Sequence, residues 1–415
     1  MKISGKDREI LRGLAAEKAE VAALDVHKQR GALWCRLNRL EPVKPMVWIN
    51  EICWHEMDVD GELVLHTSDH FCQGLERELR RERYQWNHMP GDMIVEDVIY
   101  CPIAVLDTGF GIVEESRKIF AHAGSVASRE FEPQIREKVD IEKIKMPELS
   151  VDWEETEWRY ETMTNLFGDI IRVEKRGIPG RWFAPWDELV RWWGVQDALL
   201  DLVLRPEMVH RAMDRLVSAY LSRLDQWEEL NVLALNNTPI RVGSGGYGCT
   251  DELPLPDFEA GHIRAKDLWG CATAQIFSEV SPDMHEEFAL QYERRWLERF
   301  GLTYYGCCEP LHLKIDLLKS IPNLRKISTS PWADMAETVE KTRGKYVISF
   351  KPNPALLVEN PWEPDRVRAY LIENLEQAQG CPTEVILKDI STVNFEPKRL
   401  WAWAEIAREV TERFA

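Results

Sequence analysis

The chain has 415 residues, 45% hydrophobic and 29% charged, the composition of a globular protein with a large core. Its 52 Lys and Arg against 70 Asp and Glu leave a formal charge of −18, which disfavours a nucleic-acid partner or docking on an anionic membrane. No apolar run approaches the roughly 18 residues of a spanning helix, and no apolar stretch follows the charged start Met1 to Ile10, so a cytoplasmic protein is expected.

In chain order, residues 1–40 read as helix, followed by a short buried strand at Pro45–Asn50. Residues 58–145 alternate short apolar runs (Glu62–His66, Met93–Tyr100, Ile103–Leu106) with turn residues and read as a hairpin-rich insertion. The acidic residues 148–161 predict a surface helix, closing an insertion that spans 58–160. From about residue 165 strands and helices alternate. Strands are predicted at Asp169–Glu174, Asn231–Asn236, Ala272–Phe277, Leu302–Tyr305, Leu324–Ser328, Lys345–Phe350 and Glu384–Leu387, and nearly every one precedes a helix. Gly243–Gly248 lacks the spacing of a dinucleotide fingerprint and reads as a flexible loop.

With the first strand this makes eight strand–helix units. The expected fold is therefore a (β/α)8 TIM barrel forming one domain over 1–415, with a helical extension at 1–45. Nine cysteines without framework spacing read as reduced thiols. Most of the seventeen Trp fill core, and a few are expected to line a pocket for a flat substrate.

Barrel active sites lie at the C-terminal ends of the strands. Those ends carry Asn236 and Asn237, Ser278 and Glu279, Gly306 to Glu309, Ser328 to Ser330 with Trp332, Lys351 to Asn353, and Lys388 with Asp389. Cys307 and Cys308 could give thiolate to a metal such as Zn²⁺, with a carboxylate or His312 completing four-coordination. An equal reading makes them small buried residues on either side of the strand. Lys388 with Asp389 reads equally as an internal ion pair, Lys351 as a partner of Glu279 or Asp389, and His285 as a surface residue.

Residues 165–415 resemble the uroporphyrinogen decarboxylase superfamily, which includes barrel methyltransferases that serve corrinoid proteins. Gly306-Cys-Cys308-Glu309 with Asp316 is similar to that superfamily's His-X-Cys-Gly segment, and Ser281-Pro-Asp-Met-His-Glu-Glu-Phe288 to its Ser-Pro-X-X-Phe segment. Ile327 to Asp334 and Phe350 to Leu356 match the next two units in shape. The arginines that would hold a tetrapyrrole are replaced by Trp48-Ile-Asn-Glu-Ile-Cys-Trp54, which argues against the decarboxylase reaction itself.

The resemblance implies a methyltransferase moving a methyl group from a small donor, best an aromatic methyl ether, to the Co(I) of a corrinoid on a partner protein. It implies zinc at Cys308 with Cys307 or Asp389, the last standing where a second zinc cysteine would be. Glu279 or Tyr305 would supply the proton, and Trp332, Trp182 and Trp186 would stack on the ring. Asn236 and Asn353 complete the expected substrate contacts. Barrels of this superfamily often pair, so a homodimer is also implied. The alternative is a lyase or decarboxylase on another substrate, with Lys351 or Lys388 holding a carboxylate.

Overall fold

The computed structural model describes residues 3–119 and 128–415; residues 120–127, within the expected insertion, lie outside them. The central element is a six-stranded parallel sheet. Its strands are β1 (Met46–Ile49), β2 (Trp269–Ala272), β3 (Leu302–Tyr305), β4 (Leu324–Thr329), β5 (Val347–Phe350) and β6 (Thr383–Leu387), in spatial order β1-β6-β5-β4-β3-β2. Beyond β2 the ladder gives way to irregular backbone. Asn236 replaces it with its side chain, accepting from Trp269 N at 2.9 Å and donating to Trp269 O at 3.0 Å. A single parallel bridge then joins Leu233 to Ile178. Six of the eight predicted strands form this regular sheet; Asn231–Asn236 contributes only the bridge at Leu233, and the other predicted strand, Asp169–Glu174, lies outside it.

Helices cover the sheet because strand residues of both faces are buried, the outer face by apolar side chains such as Ile327, Ile348 and Val385. Pro185–Trp193 begins on its proline, whose fixed φ suits a first helical turn, and it buries Trp186, Leu189 and Trp193. The N-terminal extension is two helices, Gly5–Ala22 and Asp25–Asn38, the first capped by the Ser4 hydroxyl.

Several sequence expectations change. The insertion is built on a 19-residue helix, His70–His88, whose Asp69 side chain accepts from Phe71 N and Cys72 N. Glu62–His66 forms no strand. The predicted strand Asp169–Glu174 lies at Arg172–Arg176 and pairs with Val98–Pro102 in a separate two-stranded sheet. The strand predicted at Ala272–Phe277 ends at Ala272, because 272 to 274 already turn away into a short 3-10 segment, Gln275–Phe277.

The glycine-rich loop is packed, not flexible. A Cβ on Gly246 would lie 2.6 Å from Trp34 Cη2, and one on Gly245 would lie 2.5 Å from Glu384 Oε1. Only residues without side chains let this backbone approach the strands so closely. The loop accordingly carries Arg241 to Gly243 to the C-terminal side of the sheet.

Candidate active site

Alternation along β3 sends its two tyrosines to opposite faces and creates two separate polar networks. Tyr304 faces inward, where its hydroxyl lies 2.9 Å from Ser244 Oγ and 3.3 Å from Ser349 Oγ. Lys351 Nζ donates to the same hydroxyl at 3.0 Å. Glu384 on β6 accepts from Lys326 Nζ at 2.8 Å, from Ser349 Oγ at 2.6 Å and from Gly246 N at 3.0 Å. Lys326, Lys351 and Glu384 are all buried. Burial pushes the Lys351 amine down to about 7, although the Glu384 charge opposes it.

Tyr305 faces outward, into the layer under the helix that begins at Pro282. Its hydroxyl donates to Glu293 Oε2 at 2.6 Å and lies 2.6 Å from His285 Nε2. Lys314 Nζ meets His285 Nδ1 at 3.1 Å, which leaves Nε2–H to face Tyr305. His285 is therefore a core residue, not a surface one, and burial followed by Lys314 pushes it down to about 3. Burial raises Glu293 to about 8, above its ordinary 4.5.

A folded-state pKa above the unfolded one means that the native state keeps a proton the unfolded chain releases. Its contribution is full below about 4.5 and is lost as pH rises through about 8. Relative to Glu293→Gln, the wild-type protein is expected to lose roughly 2–4 kcal/mol between those limits. Urea unfolding of both proteins at a series of pH values checks this; parallel curves would refute it.

The cavity lies where the parallel strands end, as the fold predicts. It has a volume of about 450 Å³. Ionisable and thiol groups on its wall are Glu51, Arg181, Arg241, Cys271, Cys307, Lys388 and Asp389, with Asn236, Gln275, Trp182 and Trp269 beside them. Glu51 follows β1 and Asp389 follows β6, and both adopt left-handed backbone, with φ of 52° and 57°. Such conformations cost energy in residues with a side chain and mark positions held by their surroundings. Here Asp389 N donates to Glu51 Oε2 at 3.3 Å, and Arg241 pairs with Glu51 at 2.6 Å.

Lys388 is the centre of the arrangement. Its Nζ lies 2.5 Å from Asp389 Oδ2, 3.6 Å from Glu51 Oε2, 3.4 Å from Cys307 Sγ and 3.7 Å from Cys308 Sγ. The two sulfurs are 3.4 Å apart, and the Cys308 thiol donates to Asp389 Oδ2 at 3.4 Å. Burial opposes the ammonium charge, but Cys307, Cys308 and Asp389 outweigh it and push Lys388 up. The Cys308 thiol, helped by Lys388 against burial, holds Cys307 below its ordinary range. Cys308 moves up in consequence, since two adjacent thiols do not both ionise. Burial raises Glu51, and the charges of Arg241 and Lys388 more than reverse it, to about 2. On the same wall, burial leaves Cys271 a protonated thiol, raised to about 11.

Zinc does not fit this donor set as it stands. The space between Cys307, Cys308 and Asp389 that an ion would fill is taken by the Lys388 ammonium, and no group of three His, Cys, Asp or Glu among the described residues has metal-holding geometry. The neighbouring Glu309 is committed elsewhere, accepting from Cys307 N at 2.9 Å and Thr273 Oγ1 at 2.8 Å.

Of the residues singled out in the sequence, the structure brings Cys307, Cys308, Lys388, Asp389, Asn236 and Trp182 to one place, with Lys351 beneath them in the inner network. It does not bring the others. Tyr305 faces away, and Glu279 lies seven residues beyond the true end of β2, exposed. Trp332 is 70% exposed and Trp186 is core, donating to Phe288 O. Asn353 caps the short helix Pro354–Leu357 by accepting from Ala355 N. Sequence reasoning missed Arg181, which follows Gly180, and Arg241, two residues before Gly243.

No protein-family model and no curated protein matches the sequence. Among solved structures, a methyltransferase from Methanosarcina mazei superposes with a TM-score of 0.52 at 12% identity, over 93% of this chain and 99% of that one. At that identity the likeness is one of fold: a parallel α/β sheet architecture shared along nearly the whole of both chains.

Proposed function

We propose that this chain moves a methyl group from an aromatic methyl ether to the Co(I) of a corrinoid held by a partner protein. The observation that carries the reading is the cavity itself, where a buried ammonium, Lys388, stands with Arg241 beside the indoles of Trp182 and Trp269. The shared fold with a named methyltransferase supports methyl transfer at the coarse level.

In this reaction Co(I) attacks the methyl carbon, the carbon–oxygen bond breaks, and its electron pair stays on oxygen. A phenoxide leaves poorly unless a cation or proton meets it. Lys388 takes the role that the resemblance gave to zinc, donating to the developing oxyanion, and solvent returns the proton that completes the phenol. Tryptophan faces suit the flat ring. Incubating the protein anaerobically with methoxylated aromatics and a Co(I) corrinoid is expected to give methyl-Co(III) by visible spectrum and the phenol by chromatography. Donor binding by tryptophan quenching with neither product would refute methyl transfer.

One observation favours a second reading. Arg181 lines the cavity with no ion-pair partner among the described residues, as the anchor of a substrate carboxylate would. Release of CO₂ from carboxylated aromatics, without demethylation, would establish a decarboxylase instead.

A further inference from the structure

Cys307 and Cys308 are adjacent in sequence, and their sulfurs lie 3.4 Å apart at the edge of the cavity. Both are reduced. Lys388 Nζ is within 3.4 Å of one sulfur and 3.7 Å of the other, so anionic sulfur is stabilised at this point. Cys307 lines the cavity and Cys308 is partly exposed, which gives small reagents access. Cys271, on the same wall, is engaged differently, with its Sγ 3.5 Å from Arg181 O.

We propose that Cys307 and Cys308 form a dithiol modification site, closed to a vicinal disulfide by peroxide and chelated by trivalent arsenicals. The Cys307 thiolate attacks one peroxide oxygen, the O–O bond breaks, and Cys307 becomes a sulfenic acid while hydroxide leaves. Cys308 sulfur then attacks Cys307 sulfur, forming the S–S bond and expelling hydroxide, which takes up the Cys308 proton as water. Two thiols are oxidised by two electrons and one peroxide is reduced to two waters. A reactive thiol beside a resolving one is the arrangement of redox-responsive cysteines.

Geometry makes the bond reversible. Adjacent Cα atoms are about 3.8 Å apart across a trans peptide, below the roughly 4.4–6.8 Å of ordinary disulfides, so the closed ring is strained and easily reduced. Closure also removes the anionic sulfur from Lys388 and leaves that ammonium to Asp389 and Glu51. The site is thereby switched whichever reaction the cavity performs.

The test treats the full chain with limiting hydrogen peroxide and counts thiols. Two of the nine cysteines are expected to disappear first, with the peptide holding 307 and 308 lighter by two hydrogen atoms and restored by dithiothreitol. Cys308→Ser is expected to stop at a sulfenic acid that dimedone traps, and Cys307→Ser to lose the fast phase. Lys388→Met is expected to slow that phase about tenfold at neutral pH. Phenylarsine oxide on the wild-type protein, which needs no variant to fold, is expected to bind once per chain and block the peroxide reaction. Fast oxidation of any other pair, unchanged rates in both serine variants, or no protection by the arsenical would overturn the proposal.

Discussion

Lys388→Met is expected to lower turnover by on the order of 10²–10³-fold, the usual cost of removing a donor aimed at a developing oxyanion. Lys388 is only 3% exposed, so water cannot take the place of its ammonium. Its removal leaves Asp389, Glu51 and the Cys307 sulfur facing one another without the charge that holds them. Repulsion then opens the two left-handed strand ends that carry Glu51 and Asp389. Arginine is not expected to rescue, because a planar fork cannot replace a compact ammonium between two sulfurs and a carboxylate. Two readouts separate chemistry from architecture. Turnover reports the oxyanion role, and the pH profile of Cys307 alkylation reports the ion pair, expected to move to higher pH in Lys388→Met. Loss of less than about fivefold in turnover would remove Lys388 from the reaction, whatever the alkylation profile shows.

The sequence read the fold through local chemistry and the site through strand ends, and both worked only as far as the boundaries were right. Leu302–Tyr305 forms over the predicted residues, since Gly301 and Gly306 bound it on either side. That boundary sets Cys307 and Cys308 just beyond the strand's C-terminal end, and Asp389 likewise follows a well-bounded strand. Ala272–Phe277 was drawn too far along, because Ala-Gln-Ile-Phe continues an apolar pattern after the backbone has turned. Glu279 fell out of the site for that reason alone. Trp332 and Asn353 show the opposite failure: both stand near strand ends, but loop geometry points one to solvent and spends the other on a helix cap.

Two features escape the reading for different reasons. Lys388 was seen beside Asp389 as an ion pair, yet nothing in one dimension shows its ammonium reaching two thiols from a strand not hydrogen-bonded to theirs. The helix His70–His88 was legible, with Asp69 as cap and Glu–Arg pairs at helical spacing such as Glu76 and Arg80. It was hidden by short apolar runs on either side that suggested hairpins.

Glu384→Leu is expected to destabilise the protein by about 3–5 kcal/mol, because it strands a buried lysine without its counter-charge. Lys326 and Glu384 are both fully buried and 2.8 Å apart, and Lys351 depends on the same carboxylate for what charge it keeps. The double variant Lys326→Met with Glu384→Leu is expected to recover most of the loss, since removing both charges also removes their desolvation. Urea midpoints for the two singles and the double form the test, and a double variant as unstable as the sum of the singles would show that the pair is not the unit. Recovery of stability is not expected to bring recovery of the site. Glu384 Oε1 also accepts Gly246 N, and that bond fixes the loop carrying Arg241 and Gly243 to the cavity wall. A stable double variant with weakened donor binding would therefore assign the buried charge to holding the loop, a positional role that an apolar core could not supply.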